Sequence, residues 1–247
     1  MSGLFQLTAK EYDKESSIMK IGFLQRSSLI DYPGKISAII FTQGCNFRCP
    51  YCHNPELVDP HLFSEQIDTD DIFAFLEKRK GKLDAVVITG GEPTIHKDLP
   101  IFTKRIKDMG YLVKVDTNGT NPDILRDIIS HGSVDYIAMD LKAPIEKYEH
   151  VVKVQVNKDA LATSVSMIMN SGVDYEFRTT LVSGLLIPDD ILKIGDMIRG
   201  ARQYVLQKFV SSKHLDKDFI TAEGFSDETI AVLKLKLDSM LVNVIVR

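Results

Sequence analysis

Between residues 36 and 210, short runs of β-branched and aromatic residues alternate with amphipathic stretches. That alternation limits the chain to a small set of folds. The runs lie at 36–42, 84–89, 111–116, 134–141, 174–180 and 203–210. Several are apolar at successive positions, as in DAVVIT at 84–89, which suits parallel strands covered on both faces. Helical patterns fill the gaps. At 69–80, TDDIFAFLEKRK offers Thr69 as N-cap, acidic residues in the first turn, basic ones in the last, and Gly81 as the stop. Asn121-Pro122 opens 122–131 as a cap followed by a first-turn proline, and Gly132 ends it. Helices over 98–109, 157–171 and 189–200 end at Gly110, Gly172 and Gly200, and a further helix is expected over 226–237. A βα unit repeated about six times implies a parallel sheet with right-handed crossovers. Six units are too few for a closed eightfold barrel, which leaves an α/β partial (β/α)6 barrel or a doubly wound sheet. Segments 17–25 and 240–246 read as extra strands outside the repeat. We expect a single domain over 1–247, with a core at about 36–210 and extensions at 1–35 and 211–247.

Composition narrows the function classes. The chain has 247 residues and 44% hydrophobic content, enough for a packed core. Its net charge of −4 argues against sequence-independent nucleic-acid binding. No apolar run approaches the roughly 18 residues of a membrane span. The opening MSGLFQLTAKEYDKESS turns acidic early, against a secretory leader. A cytoplasmic protein is expected.

The three cysteines, Cys45, Cys49 and Cys52, all lie within one short loop after the first strand of the repeat. An odd, tightly clustered set with no export signal points to metal chemistry rather than disulfides. The spacing is C-x3-C-x2-C. Three thiolates can hold three corners of an iron–sulfur cube, and without a fourth Cys one iron stays open to a small molecule. A Cys3His zinc site using His53 is the alternative, although adjacency of Cys52 and His53 makes joint chelation awkward.

Other polar groups fall at strand ends, where barrel-like α/β folds gather function. Gly90-Gly91-Glu92-Pro93 follows the second strand and Asp116-Thr117-Asn118-Gly119 the third. Asp140 and Lys142 end the fourth, and Arg178 lies in the fifth. Parallel strands would bring all of them to one mouth. Each also has a plain structural reading. The glycines could form an ordinary strand–helix turn, Asp116 a helix cap, Asp140 and Lys142 a structural pair, and Arg178 an ion pair. Asp31-Tyr32-Pro33-Gly34 is expected to turn just before the first strand of the repeat.

With Tyr51 as the aromatic residue, C-x3-C-x-φ-C resembles the signature of the radical S-adenosylmethionine (SAM) superfamily. The longer CNFRCPYCHNPEL, with SLIDYPGK at 28–35 and FTQGC at 41–45, is similar to activating enzymes of anaerobic ribonucleoside-triphosphate reductase. The resemblance implies a partial barrel and a [4Fe–4S] cluster on Cys45, Cys49 and Cys52, with SAM chelating the open iron. One electron, from a donor such as flavodoxin or ferredoxin, would cleave SAM, and the 5′-deoxyadenosyl radical would take hydrogen from a glycine Cα of a partner enzyme. The resemblance also assigns Gly90, Gly91 and Glu92 to the methionine amino group. It places Asp116, Thr117, Asp140 and Lys142 around the methionine carboxylate, with a monovalent cation in some relatives, and gives Arg178 the same carboxylate. Many relatives carry a His at the end of the sixth strand; here Gln207-Lys208-Phe209 stands there, and His214 lies too far along to equate.

Overall fold

The computed structural model describes residues 19–211 and 214–247. The opening segment read above as free of a leader, and the first two residues of the expected strand at 17–25, lie outside these. Strand β1 (Ile21–Ser28) runs antiparallel to β2 (Ser37–Thr42). The chain then passes through the cysteine loop, the short helix α1 (Pro55–Val58) and α2 (Thr69–Arg79) to β3 (Ala85–Gly90). Next come α3 (Leu99–Asp108), β4 (Leu112–Thr117), α4 (Pro122–Ser130), β5 (Tyr136–Asp140), α5 (Tyr148–Val152), α6 (Lys158–Asn170) and β6 (Asp174–Leu181). The series ends with α7 (Pro188–Met197), β7 (Tyr204–Lys208), α8 (Asp227–Leu237) and β8 (Val244–Val246).

The sheet order is β1 to β8 in sequence, and every pairing from β2 onward is parallel. This is the expected partial barrel, with two differences. The tail strand at 240–246 shortens to Val244–Val246 and, coming after α8, continues the parallel repeat rather than standing outside it. The N-terminal strand alone is antiparallel. Caps also differ in detail. Asp68, not Thr69, caps α2 by accepting from the Asp70 amide. Asn121 sits at the cap of α4 but donates its side-chain amide to Thr94 Oγ1, 3.1 Å away.

Strand side chains alternate between two faces. One face packs under the helices in the large core, with Ile40, Ile88, Val115, Ile137 and Phe177 buried there. The other faces the lumen, where a small apolar cluster of Tyr32, Ile39, Ala85, Val87 and Tyr136 fills the end at which the strands begin. The Asp31–Gly34 turn precedes β2 as expected and plugs this end. Tyr32 packs its ring 5.8 Å from that of Tyr136, and the Asp31 carbonyl accepts from Lys114 Nζ at 2.5 Å. At the other end, the strand C-termini, the lumen opens into a cavity with polar lining side chains.

Candidate active site at the barrel mouth

The cavity at the C-terminal strand ends is lined by Cys45, Cys49, Tyr51, Cys52, Gly90, Gly91, Glu92, Asp116, Thr117, Asp140, Lys142 and Arg178. Every residue singled out from the sequence therefore borders one cavity. Asn118, Thr180 and Gln207 line it as well.

The cysteine loop is held from several directions. Arg48 donates to the Cys45 and Phe47 carbonyls at 2.6 and 2.7 Å. Beyond β7, the Leu215 and Asp216 amides donate to the Cys52 and Pro50 carbonyls, both at 3.0 Å. Burial pushes the thiol of Cys45 up to about 12 and that of Cys49 to about 11, and raises Cys52 as well. These groups are therefore protonated until a cation of high charge takes the protons' place, as thiolate metal ligation requires. Lys142, at the cavity wall, pulls the other way on Cys49 and Cys52. Tyr51 Oη is buried with no hydrogen-bond partner and borders the same cavity. Three sulfur donors on one wall of a cavity with an unpartnered hydroxyl fit an iron–sulfur cluster with a bound small molecule. The zinc arrangement fits less well. The His53 ring lies edge-on to His214 at 4.7 Å and near Phe209 at 6.0 Å. Among the described residues no three His, Cys, Asp or Glu side chains group tightly enough for a single ion.

The glycine pair turns out to serve the protein's own backbone. Gly90 has φ +120, and a Cβ there would lie 2.4 Å from the Thr42 nitrogen; one on Gly91 would lie 1.9 Å from the Gly44 carbonyl oxygen. The Gly91 amide donates to Thr42 O at 2.9 Å and the Glu92 amide to Gly44 O at 2.8 Å. The turn thus clamps the start of the cysteine loop to the end of β3. Gly91→Ala is expected to cost at least about 3 kcal/mol, the upper end of the usual range for overpacking, because the clash is with backbone. Chemical denaturation and iron uptake should both register it, and an unchanged midpoint with full iron would remove the clamp from this account.

Glu92 is also more structural than its motif implies. It is buried, and Oε1 accepts from the Thr94 amide and hydroxyl and from Thr117 Oγ1, while Oε2 accepts from the Asn118 amide at 2.6 Å. Burial raises its carboxyl even against these bonds. With about four acceptor sites on a carboxylate, Oε2 retains one for a ligand. Asn118 carries the connection on to Asn46 of the cysteine loop, donating at 2.8 Å.

Below the mouth lies an ion cluster. Arg178 bridges Asp140 Oδ1 through Nε at 2.7 Å and Asp116 Oδ2 through a terminal nitrogen at 3.2 Å. Lys142 Nζ meets Asp140 Oδ2 at 3.1 Å. Two members were not anticipated from the sequence: Lys114, 3.1 Å from Asp116 Oδ1, and Glu176, fully buried and paired with Arg247. Their signal was present, since each is a charged residue two positions before a chosen one, on the same face of an apolar strand. Burial favours the neutral acid at Asp140, but Arg178 and then Lys142 outweigh it and hold the carboxyl well below its usual range. Arg178 and Lys114 do the same for Asp116. A depressed carboxyl adds stability that is complete above its unfolded value of about 3.9 and is lost as pH falls through the folded value. Thermal melts from neutral to strongly acidic pH are therefore expected to show Asp140→Asn less stable near neutrality and less sensitive to acid. Equal acid loss in both proteins would assign the effect to other carboxylates.

The family profile of the radical SAM superfamily matches residues 39–198. A protein of Methanocaldococcus jannaschii, named provisionally as a glycyl-radical enzyme activating enzyme, is 36% identical over 200 residues, covering 78% of this chain and 80% of that one. A second protein of that organism with the same description is 33% identical over 190 residues, covering 74% and 70%. Among solved structures, QueE from Escherichia coli matches with a TM-score of 0.55 at 16% identity, covering 90% of this chain and 92% of that one. At that identity the likeness concerns the fold.

Proposed function

The chain belongs to the radical SAM superfamily, and from that premise we propose that it is a glycyl-radical enzyme activating enzyme, with an anaerobic ribonucleoside-triphosphate reductase as its partner. The observation that carries the reading is the 36% identity, over most of both chains, to a protein named for this activity. The CNFRCPYCHNPEL word supports the choice of reductase. In this reading Cys45, Cys49 and Cys52 hold one [4Fe–4S] cluster, which when bound and reduced by a flavodoxin- or ferredoxin-like donor supplies the electron that cleaves SAM.

The protein's own part is to bind and orient. Lys142 and Arg178 present positive charge toward the methionine carboxylate, beside the sulfur ligands. Glu92 Oε2 is the acceptor for the methionine ammonium, and its other bonds keep it fixed. Gly90 and Gly91 hold the cysteine loop at the right distance from these groups. Tyr51 walls the cavity beside the cluster. Leu215 and Asp216 tie the loop from the other side through its Cys52 and Pro50 carbonyls. Cytoplasmic placement follows from the need for a low-potential donor; no helix among the described residues is long and apolar enough to cross a membrane. The test is the transfer of deuterium from a glycine-labelled partner into 5′-deoxyadenosine. Label appearing there supports the reading, and its absence despite SAM cleavage and partner binding overturns it.

A further inference from the structure

Two carboxylates on neighbouring strands beside a hydroxyl make an oxygen set suited to a hard cation, and the resemblance allows a monovalent ion there. In this chain each carboxylate oxygen of that set already has a cationic side chain beside it. Asp116 Oδ1 accepts no hydrogen bond but is ion-paired with Lys114 Nζ 3.1 Å away, and Asp116 Oδ2 lies 3.2 Å from Arg178. Asp140 Oδ1 lies 2.7 Å from Arg178, and Asp140 Oδ2 lies 3.1 Å from Lys142. Thr117 Oγ1 donates to Glu92 and accepts from the Gly119 amide. Every oxygen of the set thus faces a nitrogen or hydrogen-bond partner of the chain itself.

Lys114 is the member that makes this possible. Its position on β4, two residues before Asp116, turns it into the lumen, where its side chain is only 4% exposed. Its Nζ also donates to the Asp31 carbonyl in the plug of the barrel floor, which fixes the ammonium in height. Glu176, the next carboxylate down the lumen, does not compete for it, because Arg247 pairs with Glu176 through two bonds of 3.1 and 2.9 Å. Lys114, Lys142 and Arg178 thus face Asp116 and Asp140 directly, while Glu92 borders the same cavity and Glu176, 4.0 Å from Arg178, is shared with Arg247. A metal cation added to this set would meet three cationic side chains, one of them already within 3.2 Å of each carboxylate oxygen.

We propose that Lys114 is a built-in counter-ion that takes the place of a monovalent metal at Asp116, so that the cavity orders itself and binds its ligand independently of sodium or potassium. As a positioning residue it acts on the ligand through Asp116 and Arg178. The ligand part of this inference rests on the SAM reading above; the cation part does not.

The experiment compares choline, sodium and potassium chlorides at equal ionic strength. Thermal unfolding of the metal-free protein tests the counter-ion alone. SAM titration of the anaerobically reconstituted protein tests its consequence. The native protein is expected to give the same midpoint and the same affinity in all three salts. Lys114→Met is expected to gain a saturable midpoint rise with sodium or potassium and not with choline. Its SAM affinity should fall at least tenfold in choline and recover with the metal salts. Lys114→Arg should behave like the native protein. A saturable sodium or potassium effect on the native protein overturns the proposal. So does a folded Lys114→Met that ignores the identity of the cation, since a merely structural lysine would lower the midpoint equally in every salt. If Lys114→Met does not fold, the native and Lys114→Arg measurements still decide. Failure of the native protein to bind SAM at all, with cation-independent unfolding, would sink the ligand reading and leave the counter-ion intact.

Discussion

Cys49→Ala is expected to leave a folded protein that binds no complete cluster and cleaves SAM at the background rate. Cys49 is the most buried of the three cysteines, at 8% exposure, and Lys142 is the strongest influence favouring its thiolate. The chain holds no fourth Cys that could move in. His53 is not a substitute, because its ring is engaged with His214 and Phe209. Cys45→Ala and Cys52→Ala should behave alike, since each removes one corner of the same set. All three thiols lie on a loop outside the strands, so circular dichroism should stay close to that of the native protein. Iron and acid-labile sulfide measured after anaerobic reconstitution, with 5′-deoxyadenosine counted after reduction, give the result directly. Four irons and four sulfides retained in any of the three variants, with turnover, would remove that residue from the cluster. Zinc at one equivalent in the native protein, unaffected by sulfide, would instead favour the Cys3His arrangement.

The parts of the fold that could be read in advance were those with strong local signals. Each βα unit carries its own apolar run, cap and stop, so the order β3 to α7 followed from local pattern, except for the short α5, which has no signal of its own. The tail was harder. Val244–Val246 is too short to carry a direction, and its parallel pairing with β7 depends on α8 crossing back over the sheet, a long-range choice. The site was legible wherever a residue sat at a strand end, because parallel strands deliver their ends to one place. Its supporting charges were not. Lys114 and Glu176 show locally only as charged residues inside apolar strands, two positions before Asp116 and Arg178, and it is the curl of the sheet that makes them lumen residues. The glycine pair carries a second demand that its motif does not show: the approach of 42–44 to 90–91, a contact across two strands that no local pattern records.

Addition of the cognate reductase to the reduced, SAM-loaded protein is expected to change the reaction from slow, uncoupled SAM cleavage to formation of a persistent protein radical. Electron paramagnetic resonance should show a doublet, from coupling of the unpaired electron on a glycine Cα to its one remaining hydrogen. Glycine suits the position because it has no side chain to hinder entry into the barrel mouth, and flanking amides stabilise the radical. The lumen floor is closed by Tyr32 and Tyr136, and Asn118, Thr180 and Gln207 line the mouth beside the cysteines and the ion cluster. Exchange of the partner glycine for Ala should abolish the doublet while leaving slow SAM cleavage in place, because the abstracted hydrogen belongs to that one site. Deuteration of the same glycine should collapse the doublet splitting and send the label into 5′-deoxyadenosine. The opposite outcome is equally clear. If cluster, SAM and partner are all bound and SAM is consumed, yet no glycine-centred signal forms, the hydrogen comes from elsewhere and a small-molecule substrate at the same mouth is the better reading.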